Sequence, residues 1–103
     1  MVRIHVGKNR AGDQLIATLD PIRKGLAIYD YDYFEEIEAR IVSLSMADRK
    51  SRNFTRLFLG YATELEVTKS GDAELPDELV EAARVTDTRA IESLDRHLFW
   101  PSR

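Results

Sequence analysis

Asn53-Phe54-Thr55-Arg56-Leu57-Phe58-Leu59-Gly60-Tyr61-Ala62-Thr63-Glu64-Leu65-Glu66-Val67 is the stretch in which the hydrophobic period of the chain changes. Phe54, Leu57 and Phe58, continuing to Tyr61, recur at helical spacing and form one apolar stripe. Beyond Gly60 the period falls to two. Tyr61, Thr63, Leu65 and Val67 share one face of a strand, with Glu64 and Glu66 on the other. Gly60 is a natural C-terminal stop for the helix, which is expected over about Asp48 to Leu59. A helix running through a glycine into a half-wet strand implies an α+β fold.

Upstream, Phe34, Ile37, Ile41 and Leu44 give a second stripe, on a helix expected to begin near Asp32. Asp32 and Glu35 have capping-box spacing, and Glu35, Glu36 and Glu38 sit near the positive end of the helix dipole. The two stripes are expected to face each other as a helical hairpin, with their aromatics in the core. Before them, Leu15–Leu19 and Leu26–Tyr29 read as strands joined by a turn marked by Asp20-Pro21 and Gly25. Val2, Ile4 and Val6 alternate as a short strand, followed by a polar loop over Gly7–Asp13. Downstream, Lys69-Ser70-Gly71-Asp72 is a turn and Ala73–Leu75 a return strand. Pro76 then opens a short helix over Asp77–Arg84. A strand near Ala90-Ile91, a turn at Leu94-Asp95-Arg96 and a strand His97–Trp100 closed by Pro101 complete the chain. Leu15–Tyr29 and Ala90–Trp100 are alike in kind, which hints at a duplicated unit.

At 103 residues the chain has room for one compact domain, or for two very small halves sharing a core. Its 44% hydrophobic content is too high for a disordered tail. The net charge of -3 does not suggest a strongly basic nucleic-acid binder, but the charges are uneven. Asp30–Arg40 holds five acids and one base, whereas Arg49, Lys50, Arg52 and Arg56 follow one another without an acid between them. Such a cluster is a solvated or helix-paired face, or one that meets phosphate or the acidic face of another subunit. The absence of cysteine excludes disulfides, thiolate metal sites and a cysteine nucleophile. No apolar run reaches the roughly 20 residues that span a bilayer. Met1–His5 lacks the layout of a secretory signal, so a cytoplasmic protein is expected. His5 and His97 are far apart, and no nucleophile elbow, Walker loop or dinucleotide fingerprint is present. No catalytic residue, metal site or cofactor is expected, and an enzyme is not.

Several segments carry a family resemblance by their order and spacing. These are Gly25-Leu26-Ala27-Ile28-Tyr29 with Tyr33-Phe34-Glu35-Glu36-Ile37, the segment Asn53–Glu66, Gly71 and Pro76 after Lys69, and Asp95–Trp100. Together they resemble the MraZ family of AbrB-like (SpoVT-AbrB) bacterial proteins, over roughly Leu15 to Trp100. The resemblance implies an AbrB-like swapped-hairpin β-barrel with a central helical hairpin, in a single domain over 1–103. Residues 1–30 would be a partial first half, 31–60 the helical hairpin and 61–103 the second half. It also implies a ring-shaped homo-oligomer and sequence-specific DNA binding as a transcriptional regulator, at the nucleoid if it binds DNA. Lys69 would be a DNA contact, and Lys8, Arg10, Arg49, Lys50, Arg52 and Arg56 would clamp phosphates. Two departures stand against this. Thr68 and Asp72 occupy the acid and arginine positions of the family's D-x-x-G-R-x-x-x-P hairpin, reversing the sign at the second. Met1–Gln14 stands where the first repeat's hairpin would be, without a Gly-Arg pair or proline. The alternative is a non-DNA-binding oligomeric interaction module, or a modulator of a full-length MraZ-type protein.

Overall fold

The computed structural model describes residues 2–44, 49–85, 92–93 and 97–102. In chain order these form β1 (Val2–His5), a 3-10 turn (Lys8–Arg10), β2 (Gln14–Asp20), β3 (Gly25–Asp30), α1 (Tyr31–Leu44) and α2 (Arg49–Gly60). There follow β4 (Thr63–Glu66), β5 (Asp72–Leu75), α3 (Asp77–Ala83), β6 (Glu92–Ser93) and β7 (His97–Pro101). The strands make a five-stranded antiparallel sheet in the order β4-β2-β3-β7-β6 and a two-stranded sheet of β1 and β5. Strands from the N-terminal and C-terminal parts of the sequence therefore pair three times, β1 with β5, β2 with β4 and β3 with β7.

The alternation of side chains along the central strands splits the core into two layers. Leu15 and Ala17 of β2, Leu26 and Ile28 of β3, and Leu98 and Trp100 of β7 point to one face. There they meet Ile4, Ala73 and Leu75 of the two-stranded sheet and Leu79 and Ala83 of α3. Ile16, Ala27, Tyr29 and Phe99 point the other way and are covered by Phe34 of α1 and Phe58 of α2. A sheet buried on both faces needs strands that are apolar throughout, which is why Leu26-Ala27-Ile28-Tyr29 carries no polar residue. The helical stripes meet through Phe34, Ile37, Ile41, Phe54 and Phe58, whereas Tyr61, expected to continue the second stripe into the core, is 37% exposed beyond the helix end. Phe34 stacks on Phe58 at 5.5 Å between ring centroids, and Phe54 on Phe58 at 5.2 Å.

Three expectations change. The capping box does not form, because α1 begins at Tyr31 and places Asp32 inside its first turn. Glu35 instead accepts the Tyr31 hydroxyl, which raises the tyrosine's pKa. The return strand Asp72–Leu75 does not pair with β4 but with β1. The turn itself is made, with Thr68 N–H donating to the Asp72 carbonyl at 2.8 Å. Continuing that register would set Glu66 directly opposite Glu74, a like-charge pair that disfavours further rungs. The strands diverge into separate sheets, so the described strands form two antiparallel sheets without closing into a barrel. The start of the second helix at Asp48, the strand at Ala90-Ile91 and the turn at Leu94–Arg96 lie outside the described residues.

The 12–13 corner shows how β2 enters the sheet. Gly12, at φ +85°, donates its N–H to the Val67 carbonyl, while the Val67 N–H goes to Asp13. Two residues thus oppose one, a β-bulge whose first position requires a left-handed residue. At the other end of the strand, Thr18 is fully buried and its hydroxyl donates to the carbonyl of Phe58. That carbonyl lies in the last turn of α2 and has no partner within the helix. Replacing the donor by an isosteric methyl leaves it buried and unsatisfied. Thr18→Val should therefore lower the unfolding free energy by about 1–3 kcal/mol, read as a lower urea midpoint at unchanged m. Thr18→Ser should lose much less.

Candidate functional site

The turn after β4 is built around Gly71, whose φ of +86° suits glycine. A Cβ there would also lie 2.5 Å from the Gly7 carbonyl carbon and the Lys8 nitrogen. The Gly71 carbonyl accepts the N–H groups of Val6 at 2.8 Å and Gly7 at 3.2 Å. This close backbone approach sets the 69–71 turn against the 3-10 turn, so the exposed Lys69 and Lys8 sit on adjoining turns. Arg10, on the same 3-10 turn, is already engaged, its Nη1 being 3.1 Å from Asp30 Oδ1.

Asp72 is the dominant anion of this turn. Its Oδ1 accepts the His5 Nδ1–H at 2.8 Å, and its Oδ2 accepts the Ser70 hydroxyl at 3.2 Å. The His5 hydrogen bond above all, with smaller help from Ser70 and the charges of His5 and Arg3, holds its carboxyl below the usual range despite some desolvation. Behind it, between β4 and β5, lies a cleft of about 450 Å³ whose charged lining is Glu64, Glu66, Asp72 and Glu74 against Arg3 alone. The lysines of the turn thus stand beside a concentration of carboxylates.

Arg49, Lys50, Arg52 and Arg56 are exposed on α2, and among the described residues none of them forms an ion pair. Helix α2 covers the sheet face opposite the one on which β1 and β5 pack. The seven cations expected from the sequence therefore fall into three groups. Lys8 and Lys69 come together, Arg10 is tied to Asp30, and the α2 set stands in another layer.

A polar network built on the buried Asp20 escaped the sequence reading. Asp20 is 6% exposed; its Oδ1 accepts the N–H groups of Ile22 and Arg23, and its Oδ2 accepts Arg23 Nε at 2.7 Å. Arg23 Nη2 lies 2.8 Å from His97 Nε2, and the guanidinium sits 4.4 Å above the Phe99 ring. His97 in turn stacks on Tyr29 at 4.8 Å. An arginine can only donate, so Nε2 accepts and His97 is neutral with its proton on Nδ1. Burial, then the charge of Arg23, lowers the His97 pKa. Burial and Asp20 push the Tyr29 hydroxyl up to about 12. The network ties the β2–β3 turn to the start of β7; the only sequence signal for it was Asp20-Pro21 at a turn.

The sign of its pH dependence follows. A histidine whose folded pKa is depressed adds stability that is fully present above its unfolded value of about 6.5 and lost as pH falls through the folded value. The thermal midpoint should therefore drop between pH 7.5 and pH 5. In His97→Gln, whose amide oxygen can accept from Arg23 without titrating, the curve should be flatter. Parallel curves for the two proteins would contradict the assignment.

No family model matches the chain. It is similar to curated proteins named "Transcriptional regulator MraZ". One from Pseudomonas putida is 33% identical over 94 residues, which cover 89% of this chain and 62% of that protein. The Marinomonas protein is 36% identical, and the Hydrogenovibrio crunogenus protein 40%, each over 73 residues covering 71% of this chain and 48% of the relative. The chain thus spans about half to three fifths of the length of the relatives it matches. Those similarities extend over most of a sequence whose central strands, helix pair and glycine-centred turn are in place: the chain belongs to the MraZ family.

Proposed function

We propose that the chain acts as a transcriptional regulator of the MraZ type, contacting DNA as a homo-oligomer through the adjoining 8–10 and 69–71 turns. The observation that carries this reading is the pair of exposed cations, Lys8 and Lys69, that Gly71 holds on neighbouring rigid turns. Lys69 keeps a positive charge within the segment that resembles the family's DNA-contacting hairpin. Two lysines per protomer make a weak phosphate site, and repetition around an oligomer multiplies it. In the assembled protein, the cross-paired strands β1–β5 and β3–β7 would belong to a swapped-hairpin barrel of the AbrB-like type.

A second reading is favoured by a specific observation, the carboxylate of Asp72 and the acidic cleft behind it. An anion at that position repels phosphate, so the chain would then be an interaction module that does not bind DNA.

Fluorescence anisotropy with a labelled duplex separates the two. The regulator reading predicts binding that weakens steeply with salt. In Lys8→Ala and in Lys69→Ala the log–log slope should become shallower by about 0.9 for each phosphate no longer neutralised. Asp72→Arg removes the anion and restores a cation, so it should tighten binding about tenfold or more. No retention at low salt, with Asp72→Arg equally inert, would leave the interaction-module reading.

A further inference from the structure

We infer that His5, held by Asp72, is a phosphate contact gated by its own protonation: its imidazolium donates Nε2–H to the DNA backbone, so binding tightens as the pH falls. This rests on the DNA-contact reading proposed above and names the group that offsets the anion of Asp72.

His5 and Asp72 are directly opposite each other in the β1–β5 register, as are Arg3 and Glu74. Alternation along β1 sends Ile4 into the core, so Arg3 and His5 share the outer face. On that face the imidazole is the outer member of its pair, its side chain being 62% exposed against 26% for Asp72. Both oxygens of the carboxylate are engaged, Oδ1 by His5 Nδ1–H at 2.8 Å and Oδ2 by the Ser70 hydroxyl at 3.2 Å. Ser70 accepts in turn from the Thr68 hydroxyl at 2.9 Å, and Thr68 Oγ1 accepts the Asp72 N–H at 3.2 Å. This closed ring of hydrogen bonds fixes Asp72 at main chain and side chain. Its carboxyl is held below the ordinary range, first by the His5 bond, so it stays ionised near neutral pH.

A carboxylate can only accept, so while the pair stands Nδ1 carries a proton in either charge state of the ring. The neutral imidazole then has a bare lone pair on Nε2, which offers nothing to a phosphate oxygen. The imidazolium keeps the Asp72 bond and gains Nε2–H, a charge-assisted donor on the side of the ring away from Asp72. The charged surroundings act in the same sense. Lys8 and Lys69 stand on the adjoining turns, Arg3 is paired with Glu74 at 4.0 Å, and Glu64 and Glu66 of β4 line the cleft beyond Asp72. With His5 neutral, Asp72 cancels one of the two lysines. With His5 charged, it cancels His5 instead, and both lysine charges act on phosphate. Histidine is the side chain whose charge changes between pH 5 and 8, and linkage is reciprocal: a proton that favours phosphate is favoured by it equally.

Fluorescence anisotropy with a labelled duplex at fixed low salt would compare the wild type, His5→Asn, His5→Arg and His97→Gln at pH 8.0 and pH 6.0. Far-UV circular dichroism checks that each is folded at both. The wild type and His97→Gln should bind about tenfold more tightly at pH 6.0. His5→Asn, whose amide can donate to Asp72 without ever gaining charge, should bind at both pH values like the wild type at pH 8.0. His5→Arg, charged throughout, should bind at both like the wild type at pH 6.0. Long-range proton–nitrogen NMR spectra of the free protein give a readout that does not involve DNA: at pH 8.0 the His5 proton should sit on Nδ1. A proton on Nε2 instead, or equal pH dependence in the wild type and His5→Asn, would overturn the inference while leaving the DNA contact standing. No duplex binding by any of the four proteins at either pH would defeat both.

Discussion

The pairing of β3 with β7 carries the architecture. It joins Leu26 to Trp100, Ala27 to Phe99 and Ile28 to Leu98, residues some seventy positions apart that are all buried. Neither strand has a solvent face to fall back on, because one side packs on the β1–β5 layer and the other on the helix pair. The N-terminal hairpin β2–β3 alone would expose two apolar surfaces. So would β7, with Trp100 having no layer to enter. A further long-range pairing, β1 with β5, then closes over Trp100 and brings Ile4 against Ala73. Folding of either part therefore depends on the other, and the non-local contacts are the ones that bury most of the core.

The same interlocking decides where charge is placed. Because β5 leaves β4 after one rung to reach β1, the turn between them is pulled onto the 3-10 turn, and Lys69 comes beside Lys8. The divergence also opens the cleft in which Glu64, Glu66, Asp72 and Glu74 gather. A single departure in strand pairing thus produces a small cationic edge and a larger anionic groove next to each other. The α2 cations, held by Phe54 and Phe58 on the sheet face from which Glu64 and Glu66 project, lie in the layer opposite β1 and β5.

Much of this was legible from local pattern. The change of period at Gly60, the stripes of α1 and α2, the β2–β3 hairpin and the turn at Gly71 all arise from interactions within a few residues, and the sequence periodicities report them directly. The unread parts depend on distant partners. Lys69–Asp72 looks like a hairpin turn and is one, but the opposition of Glu66 and Glu74 and the competing strand β1 decide what β5 joins. Asp32 and Glu35 have the spacing of a capping box; the spacing could not show that α1 begins directly after β3 at Tyr31. Arg10 is occupied by Asp30 and Arg23 by Asp20 and His97, pairings of which two link separate elements. The resemblance to the family, carried by short segments in order, was sound where the individual residues of its hairpin were not.

The central claim is that the two ends of the sequence form one cooperative unit through the β3–β7 and β1–β5 pairings. Native-state hydrogen exchange measures this most directly. Amides of Ile4, Ile28, Leu75 and Trp100 should exchange only through global opening, with a common free energy equal to that from urea unfolding. A lower, separate opening energy for β1 and β5, or for β7, would mean that the halves fold independently and that the interlocked core is not what holds the protein together.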